Sequence, residues 1–436
     1  MKSALVDIFR NRDFRLLWGG ESISLLGDQF YLIALPWLVL KLTGSALAIG
    51  TILALAAVPR AVFMLLGGAV TDRFSPKAVM LWSNLCRLVL VVVLALLTVI
   101  GAIQLWMIYL LALLFGLADA FFFPAQAAMV PRLLGADRLQ AGNAIIQGTG
   151  QLSVFLGPVL AGVLIALLDG GGSGEAAVPD MWGIGVALAF DAVTFIVSAL
   201  TLVAIRLPGS RAAAEGAADK SGVFSSIADT LATVWRDRSI RYYFVLIAAI
   251  NLLMTGPMAV GIPVLADTRY NGGAAAFGII MSAFGGGALL GVVAAGALKR
   301  PTPRWFSLVM LVPTGVLGIG LILLGILSSI ALAAVVAALV GVAGGYVQIQ
   351  FITWLQLRTP AHMLGRMMSV LMFSVFGLGP LSNTIAGVLI DWSPVAVMAG
   401  AGTMIAGVAL LTGFSPSIRR LGEAPEPMTL AGLPTT

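Results

Sequence analysis

The chain has 436 residues, 60% of them hydrophobic and only 10% charged, with a formal charge of +6 and a mean hydropathy of +1.04. A soluble globular domain carries roughly 25% charged residues, so this composition excludes a soluble enzyme, and the loop-by-loop sorting of the cations described below excludes a nucleic-acid-binding module. Cys86 is the only cysteine and His362 the only histidine, which excludes a disulfide framework, a cysteine-based metal site and a histidine-based triad.

The first thirteen residues are short and polar, and no small-residue cleavage site follows the first apolar run, so that run reads as a retained helix and not a signal peptide. At about 20 residues per span, the apolar runs predict twelve helices. In chain order they cover 14–40, 46–71, 78–101, 103–130, 141–168, 181–206, 241–267, 273–299, 304–328, 330–357, 366–391 and 393–414. The domain reading follows: a six-helix bundle over 1–206, a linker over 207–240, a second six-helix bundle over 241–414, and a disordered tail over 415–436. The linker is rich in Ala, Ser, Gly and charge, with a surface helix expected near Phe224–Trp235. A ten-residue charged turn, Gly68–Lys77, joins the second and third runs and is too short to cross a bilayer.

If the first helix enters from the cytoplasm, nearly every cation falls in alternate loops, among them Arg12, Arg15, Arg73, Lys77, Arg238, Arg241, Lys299, Arg300, Arg419 and Arg420. The opposite loops hold only Lys41 and Arg269. Cytoplasmic loops are enriched in Lys and Arg, so both termini are expected in the cytoplasm, and the basic balance reports topology.

The chain also repeats itself. Arg12 and Arg15 recur as Arg238 and Arg241, Leu35-Pro36-Trp37-Leu38 as Ile262-Pro263-Val264-Leu265, and Gly68 as Gly296. Chance matching of Gly and Ala would not place paired Arg and Pro residues at one offset. Six helices separate equivalent positions, so the halves run in parallel, an arrangement expected of an alternating-access transporter with its site between the halves.

The turn with Gly68, Asp72, Arg73 and Lys77 resembles the signature between helices two and three of the major facilitator superfamily, departing from it at Ser75 and Pro76. Ser153, Gly157, Pro158, Ala161 and Gly162 in helix five are similar to the antiporter motif of the same superfamily. Asp119 to Gln126, with Leu26-Gly27-Asp28, resembles its macrolide-efflux and siderophore-exporter branch. The resemblance implies an all-α integral membrane protein with the major facilitator fold, a drug:proton antiporter of a bacterial plasma membrane, working as a monomer in the lipid bilayer without cofactors.

Asp72, at the cytoplasmic end of helix two, is expected to face the start of helix eleven near Arg366 and to latch the cytoplasmic gate together with Gly68, Arg73 and Lys77; otherwise it is a solvated loop charge. Ionisable residues within spans are costly and tend to be functional. Here they are Glu21, Asp28, Arg60, Arg87, Asp119 and Asp191, all in the first half. Glu21 and Asp28 are two turns apart on one face of helix one, and at about 1.5 Å per residue Asp28 lies roughly 20 Å deep. A buried carboxyl resists ionisation, so Asp28 is the candidate proton-coupling group, with Glu21 nearer cytoplasmic water as helper. The competing reading pairs Asp28 structurally with Arg60 or Arg87. Arg87 and Asp119, at matching depths, form an expected ion pair; Asp191 either faces the cavity or lies near its outer rim. Phe121, Asn251, Met254, Gln348, Phe373 and Asn383 are candidate cavity residues, though each is also ordinary packing or a neutral polar group.

The function these observations favour is proton-driven export of amphipathic or lipophilic small molecules, with substrate and protons as the only partners besides the bilayer. A lipid or lysophospholipid translocator of the same fold and a non-transporting membrane sensor are the alternatives. No His-Glu-x-x-His, nucleotide-binding loop or Gly-x-Ser-x-Gly motif supports an enzyme.

Overall fold

The computed structural model describes residues 8–134, 138–168, 181–206, 235, 238–298, 303–359, 367, 371 and 377–413. The side chains of 64–73, 140–141, 238–239, 303–307, 357–358 and 412–413 fall outside that description. The helices are α1 (Arg12–Thr43), α2 (Ala46–Arg73), α3 (Pro76–Val99), α4 (Leu105–Leu133), α5 (Leu139–Leu168) and α6 (Trp182–Ala204). The second half has α7 (Arg238–Thr268, with a π segment at Pro257–Gly261), α8 (Gly273–Ala297), α9 (Pro303–Ile326), α10 (Ile330–Arg358), α11 (Gly379–Ile390) and α12 (Pro394–Gly413). Eleven of these, among the described residues, are long and apolar enough to cross a membrane, and α11 is the shorter twelfth. The protein is an all-α multi-pass membrane protein. Leu96, Val193, Val293 and Leu339 present exposed apolar side chains along the outer helix faces, as a bilayer requires.

The ends of the helices follow local chemistry. Asn11 caps α1, its Oδ1 accepting from the amides of Asp13 and Phe14 at 3.0 and 3.1 Å. Gly44 closes it with φ +62°, a left-handed conformation that glycine adopts without strain. The expected ten-residue turn is shorter than the charge pattern suggested. α2 continues through Arg73, leaving only Phe74 and Ser75 before Pro76 opens α3, because proline is preorganised for the first helical position. The expected surface helix at 224–235 lies outside the described residues except for Trp235, which is helical, as do the tail and most of the linker.

Within each half the same pairs touch. Gly116 on α4 meets the backbone of Ala56 on α2, and in the second half Gly341 on α10 meets the backbone of Phe284 on α8. α3 packs on α6, and α9 on α12. Small residues let helix backbones approach where lipid offers no hydrophobic drive. Between halves the main seams are α5 on α8 and α2 on α11, which exchange under the repeat. A Cβ at Gly162 would lie 2.4 Å from the carbonyl oxygen of Ala274, one at Gly278 2.3 Å from that of Pro158, and one at Gly50 2.3 Å from that of Asn383. These contacts gather toward the ends that carry the α1–α2, α7–α8 and α11–α12 turns. Toward the other end, a Cβ at Gly148 or Gly296 meets nothing within 4 Å.

Candidate functional site

Apolar helices tolerate charge only where it is paired, and α3 supplies the pairing cation. Ser83, Asn84 and Arg87 lie on its buried stripe. Arg87 is 1% exposed. Its Nη1 lies 3.1 Å from Oδ1 of Asp119 on α4 and 3.8 Å from Oδ1 of Asp28 on α1. Its Nη2 donates to Oδ1 of Asn84, and Nδ2 of Asn84 donates to Ser198 Oγ at 2.8 Å. The rings of Phe122 and Phe195 flank the guanidinium at 4.2 and 4.6 Å, a planar cation between aromatic faces. Arg60 reaches the other oxygen of Asp119 at 3.2 Å. The expected Arg87–Asp119 pair is therefore present, and Asp119 is held by two guanidiniums at once.

Asp28 holds Arg87 more loosely, and its side chain is 26% exposed, against 8% for Asp119. Glu21 departs from expectation. Depth along the helix placed it nearer water, yet it is 2% exposed; Gln126 Nε2 donates to its Oε2 at 2.6 Å, and its Oε1 has no hydrogen-bond partner. Depth counts residues from the helix end, whereas exposure depends on which neighbour covers the face; here α4 covers Glu21. Asp191 is likewise neither at a rim nor in a cavity. It is fully buried between α6 and α1, with Oδ1 3.4 Å from Thr194 Oγ1 and no partner for Oδ2. Gly27 makes room for it: a Cβ there would sit 2.6 Å from Asp191 Oδ1 and 2.1 Å from Thr194 Oγ1.

Four carboxyl groups and two guanidiniums thus lie in one bundle, and of the four only Asp28 and Asp119 are within ion-pair distance of a guanidinium. Full ionisation would leave uncompensated negative charge among apolar helices, which is strongly disfavoured. A cluster with surplus carboxyls is chemically suited to taking up and releasing protons. No group of three or more His, Cys, Asp or Glu among the described residues is arranged to hold a metal ion.

The other predicted residues scatter. Lys77 donates to the carbonyls of Val203 and Ile205 at 3.0 and 2.6 Å, capping the end of α6 in its own half. The backbones of Gly68, Asp72 and Arg73 complete α2, but their side chains, together with Arg366 and Phe373, lie outside the described residues. In α5, Ser153 bonds back to Thr149 at 3.1 Å, Gly157 packs on Gln29 of α1, and Pro158 and Gly162 form the seam with α8. There the amide of Val159 donates to Ser282 Oγ on α8 at 2.8 Å. Phe121 lines a groove between α3 and α4. Asn251 bonds back to Ile247 at 2.9 Å, Met254 packs on the core, Gln348 is exposed, and Asn383 is buried in the α2–α11 seam with an unpartnered Oδ1.

Sequence reasoning missed Asn84, Gln126, Ser382 and Asp391. Asn84 lies one turn before Arg87, a spacing at which side chains on a helix meet, and that was a usable signal. Ser382 repairs α7 where its π segment begins, accepting from the amide of Gly256 at 2.7 Å and donating to the carbonyl of Leu252 at 2.6 Å.

The family model described as Major Facilitator Superfamily matches residues 17–382. The multidrug efflux pump Tap of Mycolicibacterium fortuitum is 27% identical over 416 residues, covering 92% of this chain and 95% of that protein. Macrolide efflux protein A of Streptococcus pyogenes is 23% identical over 195 residues, 45% of each chain. The crystal structure of the nucleoside transporter NupG superposes with a TM-score of 0.69 at 13% identity, covering 95% of this chain and 100% of that one.

Proposed function

The chain belongs to the Major Facilitator Superfamily, and on that premise we propose that it is a secondary active exporter of amphipathic or lipophilic small molecules, driven by proton antiport through rocker-switch alternating access. The observation that carries this reading is Asp28. It is the loosely held carboxyl of a cluster with more acids than cations, and the one with the most open side chain. A proton on Asp28 removes its attraction for Arg87 and leaves the guanidinium to Asp119; loss of the proton restores the competition. The two efflux proteins among its relatives support the outward direction. The second half offers neutral polar and apolar side chains, suited to a substrate with little fixed charge.

Both termini and the 207–240 linker are cytoplasmic in this reading, and the protein works as a monomer in the plasma membrane. The joined ends of the seams then face outward, and the conformation described is inward-facing. Asp72 and Arg366 would meet when the cytoplasmic side closes. One feature favours lipid as an alternative cargo: the groove between α3 and α4, about 940 Å³, lined by Phe74, Trp82, Leu114, Phe121 and other apolar side chains.

The test is flux in proteoliposomes with an imposed proton gradient, across a panel of lipophilic drugs, siderophores and lysophospholipids. Drug or siderophore accumulation that collapses with the gradient supports the proposal. Accumulation of lysophospholipid alone favours the second reading, and gradient-independent flux of every compound overturns proton antiport. For topology, in a Cys86→Ser background, Gly172→Cys should label from outside and Ser221→Cys only after permeabilisation.

A further inference from the structure

Asp391 follows the last residue of α11, where a carboxylate opposes the local dipole of its own helix. Its partners lie in the other half. Oδ1 accepts from the amide of Ala46 at 2.6 Å, and Oδ2 accepts from the amide of Leu47 at 3.2 Å and from the hydroxyl of Ser45 at 3.1 Å. These are the first amides of α2, which have no intrahelical partner. Ser45 Oγ takes the amide of Ala48 at 3.3 Å, and α2 has no acidic residue in its first turn. The start of α2 is thus completed by a charge that arrives from the second half. The backbones beneath are in contact: a Cβ at Gly387 would meet the carbonyl oxygen of Ala46 at 2.9 Å and Cα of Leu47 at 3.1 Å.

We infer that Asp391 is a gate-positioning residue of the transport cycle: its carboxylate holds the outer ends of α2 and α11 together in the inward-facing state, and releasing the α2 amides is part of outward opening. The inference rests on the alternating-access reading above. Carboxylate-to-amide hydrogen bonds are stronger than neutral ones, while the neighbouring Lys41–Asp267 pair, at 3.2 Å with both side chains about two-fifths exposed, contributes little.

The test uses the full chain in lipid nanodiscs, with Cys86→Ser and spin labels at Leu167 on α5 and Trp392 after α11, both exposed. Asp391→Ala should raise the ratio of long to short outer distances about tenfold, Asp391→Asn should raise it less, and Lys41→Gln should leave it near the parent value. If Asp391→Ala unfolds, the milder Asp391→Asn carries the test. A parent that exchanges between two distances while neither Asp391 variant shifts their ratio overturns the latch. A parent with one fixed distance under every substrate and pH condition overturns alternating access itself. A rise in that ratio in Lys41→Gln as great as in Asp391→Ala would also count against Asp391.

Discussion

The two halves share a helical plan but handle polarity differently. At the offset of 226 to 228 residues that aligns them, Asp28 corresponds to Met254, Thr255 or Gly256. Where the first half places a carboxyl against Arg87, the second half places a break in the backbone, the π segment at Pro257–Gly261 repaired by Ser382. The first half is charged and braced by aromatic rings; the second is neutral at this depth. π segments are often found at functional positions. The contrast suggests a division of labour, with ion coupling in the first bundle and adaptable substrate contact and bending in the second.

The largest expected effect comes from taking the brace out of the first half. Arg87→Ala leaves Asp28 and Asp119 facing one another across apolar rings, and breaking a buried pair costs about 3–5 kcal/mol. Thermal unfolding in detergent should show a large fall in Tm, partly restored in the double variant Arg87→Met with Asp119→Leu. If Arg87→Ala melts like the parent, the cluster is more solvated than its burial indicates.

Next is Gly27→Ala, which sets a methyl group against Asp191 and Thr194. Overpacking of this kind costs about 1–3 kcal/mol. Thr194→Ala in the same chain should recover much of the loss, and a double variant no better than the single one would place the clash elsewhere.

In the second half, Ser382→Ala strips the bridge from the break in α7. Leaving a buried amide unsatisfied costs about 1–3 kcal/mol. The contrast between halves predicts slower transport with an unchanged dependence on the proton gradient. A changed gradient dependence would mean that coupling extends across both bundles.

The smallest effect belongs to Lys41→Gln at the exposed rim. It should alter stability by at most about 1 kcal/mol, a figure already reduced by solvent screening, with little difference between low and high salt.

Much of this plan was legible in the sequence because hydropathy marks where a chain crosses a bilayer. The span limits, the repeat and the Arg87–Asp119 pair follow from such one-dimensional regularities. Helical spacing puts Glu21 and Asp28 on one face, but it does not say that Gln126 will cover the first and leave the second open. Asp191 was ambiguous because its place is set by the absence of a side chain at Gly27 on another helix. Asp391 only closes the predicted span 366–391 and belongs to no motif; the approach of Gly387 to Ala46 is what makes it the cap of a helix 345 residues away in sequence.

The division of labour is tested most directly by Asp28→Asn, which keeps the shape of the side chain but removes the titrating carboxyl. The measurement compares accumulation against a gradient with downhill exchange of the same compound in the same proteoliposomes. Accumulation should vanish while exchange persists, and exchange should lose its dependence on pH. An Asp28→Asn protein that still concentrates its substrate, with unaltered pH dependence, would contradict the assignment of coupling to this carboxyl.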